Sequence, residues 1–130
     1  MRVFSVPLIA ELTIGFLLLG CGAGHRKLTA IDVSPVAAAA NASTRDTVQY
    51  TATGKFDDNS TRTLTVADGL SWKSSNPSLA SIGDTGKATC LLSGIVMITA
   101  TAPVDLTITV STNVQNTSPK ISGSASLNCM

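Results

Sequence analysis

Leu70-Ser71-Trp72-Lys73-Ser74-Ser75-Asn76-Pro77 contains the only tryptophan of the chain. Leu70 and Trp72 alternate with Ser71 and Lys73, the period of two that a half-buried strand requires. Ser74-Ser75-Asn76-Pro77 then supplies turn chemistry that ends the strand. Aromatic residues make up only 4% of the sequence. A buried indole would therefore be the largest apolar element of a small core, and Trp72 is expected to mark its centre.

The segments on either side of this stretch carry the same period. On the N-terminal side, Leu28–Ser34 forms a strand with Ile31 and Val33 on one face, ended by Pro35. Residues 36–42 are alanine-rich but too few for a helix to hold alone, and are expected as a short edge segment. Residues 47–53 place Val48, Tyr50 and Ala52 inward, and Asp57-Asp58-Asn59-Ser60 turns the chain into a strand over residues 61–66 around Leu64. On the C-terminal side, a short strand at residues 79–82 leads into residues 87–92, where Ala88, Cys90 and Leu92 share a face. Residues 95–101 are the least polar strand, expected to be covered on both faces. Residues 105–110 alternate again, residues 111–120 form a long polar loop, and residues 121–129 close the chain with Ile121, Gly123, Ala125, Leu127 and Cys129 on one face. About seven to nine short strands separated by turn signals predict an all-β, antiparallel β-sandwich.

Composition agrees with one such domain. A chain of 130 residues with a single glutamate, Glu11, is poor in the strong helix formers other than Ala and Leu. Its charged residues, 13% with a net charge of +1, are scattered singly. No electrostatic footprint for nucleic acid follows.

The N-terminus is of another kind. Arg2 precedes an apolar run that culminates in Leu12-Thr13-Ile14-Gly15-Phe16-Leu17-Leu18-Leu19-Gly20, followed by Cys21-Gly22-Ala23-Gly24. A basic start, a short apolar core and small residues at the cut are the form of a secretory signal. Leu18-Leu19-Gly20-Cys21 resembles the bacterial lipobox, in which cleavage precedes a cysteine whose sulfur is acylated. The expected organisation is a signal peptide at 1–20, a lipidated Cys21 with a tether to Lys27, and a domain at 28–130. A plain signal peptide with cleavage nearby is the alternative. Gly22 and Ala23 lack the aspartate that retains some lipoproteins at the inner membrane, which directs the anchor to the outer membrane where the host has one.

Removing Cys21 leaves Cys90 and Cys129, both on the inward phase of their strands. In an exported protein such a pair oxidises, and a disulfide between them is expected; two buried free thiols are the alternative. Neither cysteine has a second cysteine or a histidine at zinc-ligand spacing.

The ordered set of strands and turns resembles the bacterial immunoglobulin-like domain of group 2, found in intimin- and invasin-like adhesins. The matching pieces are Leu28 to Pro35, Val48 to Gly54, Asp58-Asn59-Ser60, Trp72-Lys73-Ser74-Ser75-Asn76, Leu79-Ala80-Ser81-Ile82, Gly86, Gly94 and Ile98-Thr99-Ala100-Thr101. The cysteine pair is not part of that family's pattern. The resemblance implies an immunoglobulin-like sandwich acting as a non-catalytic spacer or interaction module. It carries over no binding residues.

Catalysis has little to work with. The only histidine, His25, lies in the tether, and the only glutamate lies in the signal, so no serine or cysteine of the domain has a histidine or glutamate base. Asp57, Asp58 and Asp84 could contribute to a calcium site, but aspartate at turns is favoured for its own backbone hydrogen bonds. Neither a metal nor a cofactor is expected. Asn41-Ala42-Ser43, Asn59-Ser60-Thr61 and Asn116-Thr117-Ser118 match the glycosylation sequon, as a chain rich in Ser, Thr and Asn will.

Two functions follow as expectations. The first is a lipid-anchored cell-envelope protein held to the membrane through Cys21, meeting an envelope protein or polysaccharide. The polar loop, with Asn113, Gln115 and Asn116, is its candidate contact surface. The second is a secreted or periplasmic module binding a glycan or other polymer, which would need an exposed aromatic.

Overall fold

The computed structural model describes residues 26–106 and 117–130. Ten strands appear among them: β1 (Leu28–Ser34), β2 (Ala37–Ala40), β3 (Thr47–Gln49), β4 (Thr51–Phe56), β5 (Thr61–Thr63), β6 (Ser71–Ser74), β7 (Ala80–Ile82), β8 (Lys87–Cys90), β9 (Gly94–Pro103) and β10 (Lys120–Cys129). One 3-10 turn, Val66–Asp68, separates β5 from β6. The fold is an all-β sandwich, as the alternating pattern predicts.

The strands form three sheets, β1-β4-β5, β2-β10-β9-β6 and β3-β8-β7. All ladders are antiparallel except one. The alanine-rich β2 is an edge strand, as expected, but runs parallel to β10, Ala37 to Ala40 lying beside Ser126 to Cys129. The segment at 47–53 is split at Tyr50. On its N-terminal side β3 pairs with β8, while β4 turns to pair with β1. A run that looks continuous in sequence therefore serves two sheets.

The inward residues close a single core. Leu28, Ile31, Val33, Tyr50, Ala52, Phe56 and Leu64 come from the first half of the chain, and Ala88, Val96, Ile98, Ala100, Ala125 and Leu127 from the second. Across the core, β1 passes so close over β10 that a Cβ added at Gly123 would lie 2.1 Å from the Ile31 carbonyl oxygen. Only glycine fits there. Cys90 and Cys129 form a disulfide with a Cα–Cα distance of 5.6 Å, tying β8 to the last strand. Both cysteines are fully enclosed.

Four sequence expectations are corrected. β9 is central by hydrogen bonding, between β10 and β6, yet only one face is covered. Val96, Ile98, Ala100 and Ala102 point inward, whereas Ile95 and Met97 are 71% and 45% exposed. Apolar side chains on both faces do not ensure burial on both. β8 ends at Cys90, so Leu92 falls in the following turn and is exposed rather than sharing the inward face. The strand around Leu64 stops at Thr63: the Leu64 amide still donates to the Ala52 carbonyl at 2.8 Å, but Thr65 then caps the 3-10 turn. The fourth correction concerns Trp72.

Candidate functional site

Trp72 is partly buried, packed on the core rather than sealed inside it. Its strand explains this. Among the described residues β6 is an edge strand; Trp72 lies beside Ala100 of β9 on one side, and no described strand pairs with it on the other. The fully buried aromatic at the centre is Tyr50, with 1% exposure. Tyr50 sits at the crossover between β3 and β4, and its hydroxyl donates to the Ser126 carbonyl of β10 at 3.0 Å. Burial raises its pKa above the ordinary tyrosine value. The two rings lie 6.5 Å apart and tilted by 47°, within the centroid distance at which aromatic pairs interact.

Beside this pair the sandwich opens into a cleft of about 380 Å3. Leu64, Leu70 and Trp72 supply apolar surface, and Gln49, Asp84 and Thr85 bring polar groups to it. Local geometry holds each wall. The Gln49 amide nitrogen donates to the carbonyls of Tyr50 at 3.0 Å and Thr85 at 2.7 Å, clasping the loop before β8 to the β3–β4 crossover. Gly86 follows in the left-handed region, which it adopts because it lacks a side chain: its φ is 83°, and a Cβ there would sit 2.4 Å from the Tyr50 carbonyl oxygen and 3.0 Å from Trp72 Cζ2. The opposite wall is the 3-10 turn. Asp68 accepts the Thr65 amide at 2.9 Å and a bidentate pair of bonds from Arg62 at 3.0 and 2.9 Å. Trp72 Nε1 is enclosed without a hydrogen-bond partner.

A cleft of this size can take one sugar ring or one large side chain. Its titratable lining groups are Asp84 and the buried Tyr50. That set offers contact and shape, and it does not pair a nucleophile with a base. Among the described residues, no group of three or more His, Cys, Asp or Glu side chains could hold a metal ion. Asp57 and Asp58 serve their turn and the tether: Asp57 Oδ1 accepts the Lys27 amide at 3.2 Å, and Asp58 accepts from the amide and hydroxyl of Ser60. The Ser60 hydroxyl and amide hold the exposed Asp58 carboxyl below its ordinary pKa, with Arg26 assisting.

The remaining candidate residues divide. Cys90 and Cys129 meet in the disulfide. Cys21 and the contact-loop residues Asn113, Gln115 and Asn116 lie outside the described residues, as does the signal at 1–20. The outward face of β9 and β10 carries a hydroxyl ladder, Thr99 with Ser124 at 3.1 Å and Thr101 with Ser122 at 2.8 Å. No protein-family model matches the chain, and no curated protein matches it.

Proposed function

We propose that this protein is a lipid-anchored component of the bacterial cell envelope, held through Cys21, whose single group 2 immunoglobulin-like domain is a non-catalytic structural or interaction module. The observation that carries the reading is the enclosed Cys90–Cys129 disulfide. Such a bond belongs to chains that fold in an oxidising compartment, which agrees with the basic start, apolar run and small residues ahead of Cys21. The anchor supplies attachment without a spanning helix, each buried acyl methylene contributing about 0.8 kcal/mol.

The intact mass of the protein extracted from the membrane fraction, with and without reductant, tests this directly. The expected mass lacks residues 1–20, carries acyl chains and rises by the two hydrogens of one reduced disulfide. An unacylated mass in the soluble fraction would overturn the anchor.

A second reading, a secreted or periplasmic module binding a neutral glycan, gains support from one feature. Trp72 lines an open cleft instead of filling the centre of the core. Titration with soluble envelope oligosaccharides while Trp72 emission is followed tests it; an unchanged spectrum across the panel removes this reading.

A further inference from the structure

The chain enters the sandwich through a clamp. The Lys27 amide donates to Asp57 Oδ1 at 3.2 Å, and the Asp57 amide returns a bond to the Lys27 carbonyl at 3.0 Å. Lys27 also forms an antiparallel bridge with Asp105, and the Leu28 amide donates to the Val104 carbonyl at 2.9 Å. Arg26, one residue earlier, donates to Ser60 Oγ at 2.9 Å, lies 3.8 Å from an Asp58 oxygen and stacks 5.2 Å from the centre of the Phe56 ring. Two successive residues are thus fixed by main-chain and side-chain contacts to the β4–β5 turn and to the end of β9. The point where the chain enters is therefore fixed to this end of the sandwich.

The sequence between the cysteine and the clamp is short. From Cys21 to Arg26 is five residues, at most about 18 Å when fully extended. β10 alone has ten residues, about 33 Å of strand. It runs from Lys120, beside Pro103 at the clamped end, to Cys129, beside Gly94 at the other. The tether is therefore shorter than the sandwich is long, and only one end of the sandwich stays within its reach in every orientation.

We propose that the clamped end, formed by Arg26, Lys27, the Asp57–Ser60 turn and Asp105, is seated on the lipid headgroups, so that the bilayer surface is the partner of this end of the domain. This rests on acylation at Cys21. Val104 donates to the Pro119 carbonyl at 2.8 Å, so the chain between Leu106 and Thr117 leaves and returns at the same end. That places both ends of the segment holding Asn113, Gln115 and Asn116 on the membrane side, away from any partner approaching from outside. The end left accessible carries the Asn41–Asp46 turn, exposed Leu92 and Met130. A zwitterionic surface suits the clamped end, where Arg26 and Arg62 are matched by Asp58 and Asp68. Ile95 and Met97 on the open sheet face define the competing arrangement, with the domain lying on its side.

The test uses the acylated full-length protein in zwitterionic phosphatidylcholine vesicles whose headgroups carry an energy acceptor. Single fluorescent labels are placed at Thr61→Cys beside the clamp, Ser124→Cys on the open sheet face and Thr44→Cys at the far turn, all exposed positions. The expected result is the greatest loss of donor emission at Thr61, less at Ser124 and least at Thr44. Greatest loss at Ser124, or equal loss at the three positions, overturns the proposal. The acyl mass of the same samples separates the two failures: without acylation the anchored reading falls and takes the proposal with it, whereas an acylated protein with the wrong ranking refutes the orientation alone. Unaltered thermal melts of the three variants establish that the labels report on the native fold.

Discussion

The carbonyl oxygen of Ile31 lies directly over Gly123, 2.1 Å from where a Cβ would be. This approach lets β1 pack on β10 and sets the spacing of the sandwich. The obstacle is backbone, so no side-chain rotation can relieve it. Gly123→Ala is expected to destabilise the fold by about 3 kcal/mol or more, at the upper end of the cost of overpacking. Denaturant unfolding monitored by Trp72 emission measures it.

Tyr50 spans the core to reach Ser126, and the partner it satisfies is a main-chain carbonyl. Tyr50→Phe keeps the ring and deletes the donor. The expected loss is about 1 to 2 kcal/mol, the cost of leaving a buried acceptor without its partner. Equal stability of the variant and the parent in urea titration would mean that water replaces the hydroxyl.

The disulfide joins positions separated by 39 residues. In the loop-entropy account, opening a loop of that length costs about 4 kcal/mol. The double variant Cys90→Ala, Cys129→Ala loses this constraint together with some packing of two enclosed side chains. It is expected to melt well below the parent in reductant-free buffer, and the gap should narrow when the parent is reduced.

The strand pattern was legible because it is set by which side chains face inward, and alternation records that residue by residue. Ile31 and Val33, or Ala125, Leu127 and Cys129, occupy the face their spacing assigns. Depth in the core was not legible, because it depends on which strand lies alongside. Leu70-Ser71-Trp72-Lys73 has the same pattern at an edge or at a centre, and the pairing that leaves β6 at the edge involves β9, more than twenty residues later. Tyr50 gained the central place from a crossover that its unbroken alternation conceals. The cleft was hidden for the same reason, since its walls come from three separated segments around Gln49, Leu64 and Thr85.

Gly86 links that cleft to Trp72. Its positive φ and the 2.4 Å approach to the Tyr50 carbonyl both exclude a side chain. Gly86→Ala is expected to cost about 1 to 3 kcal/mol. It should also shift Trp72 emission, because the new methyl would press on Cζ2 at 3.0 Å. A destabilised variant with an unchanged emission maximum would place the strain in the loop alone.

Asp68 gives the domain a defined response to acid. Partial burial raises its pKa, but the Arg62 guanidinium and the Thr65 amide outweigh that and leave the carboxyl below its ordinary value of 3.8. A depressed folded pKa means that the unfolded chain binds the proton more readily. The stabilisation is therefore present above the ordinary value and is lost as pH falls from there through the lower folded value. Asp68→Asn keeps the size and removes the charge. At neutral pH the variant should be less stable than the parent by about 1 kcal/mol, the Arg62 pair being half exposed on the arginine side. As pH falls below about 4 the two melting curves should converge, because protonation removes the same charge from the parent. A difference that stays constant down to pH 2 would assign the effect of the variant to the lost cap on Thr65 rather than to the ion pair.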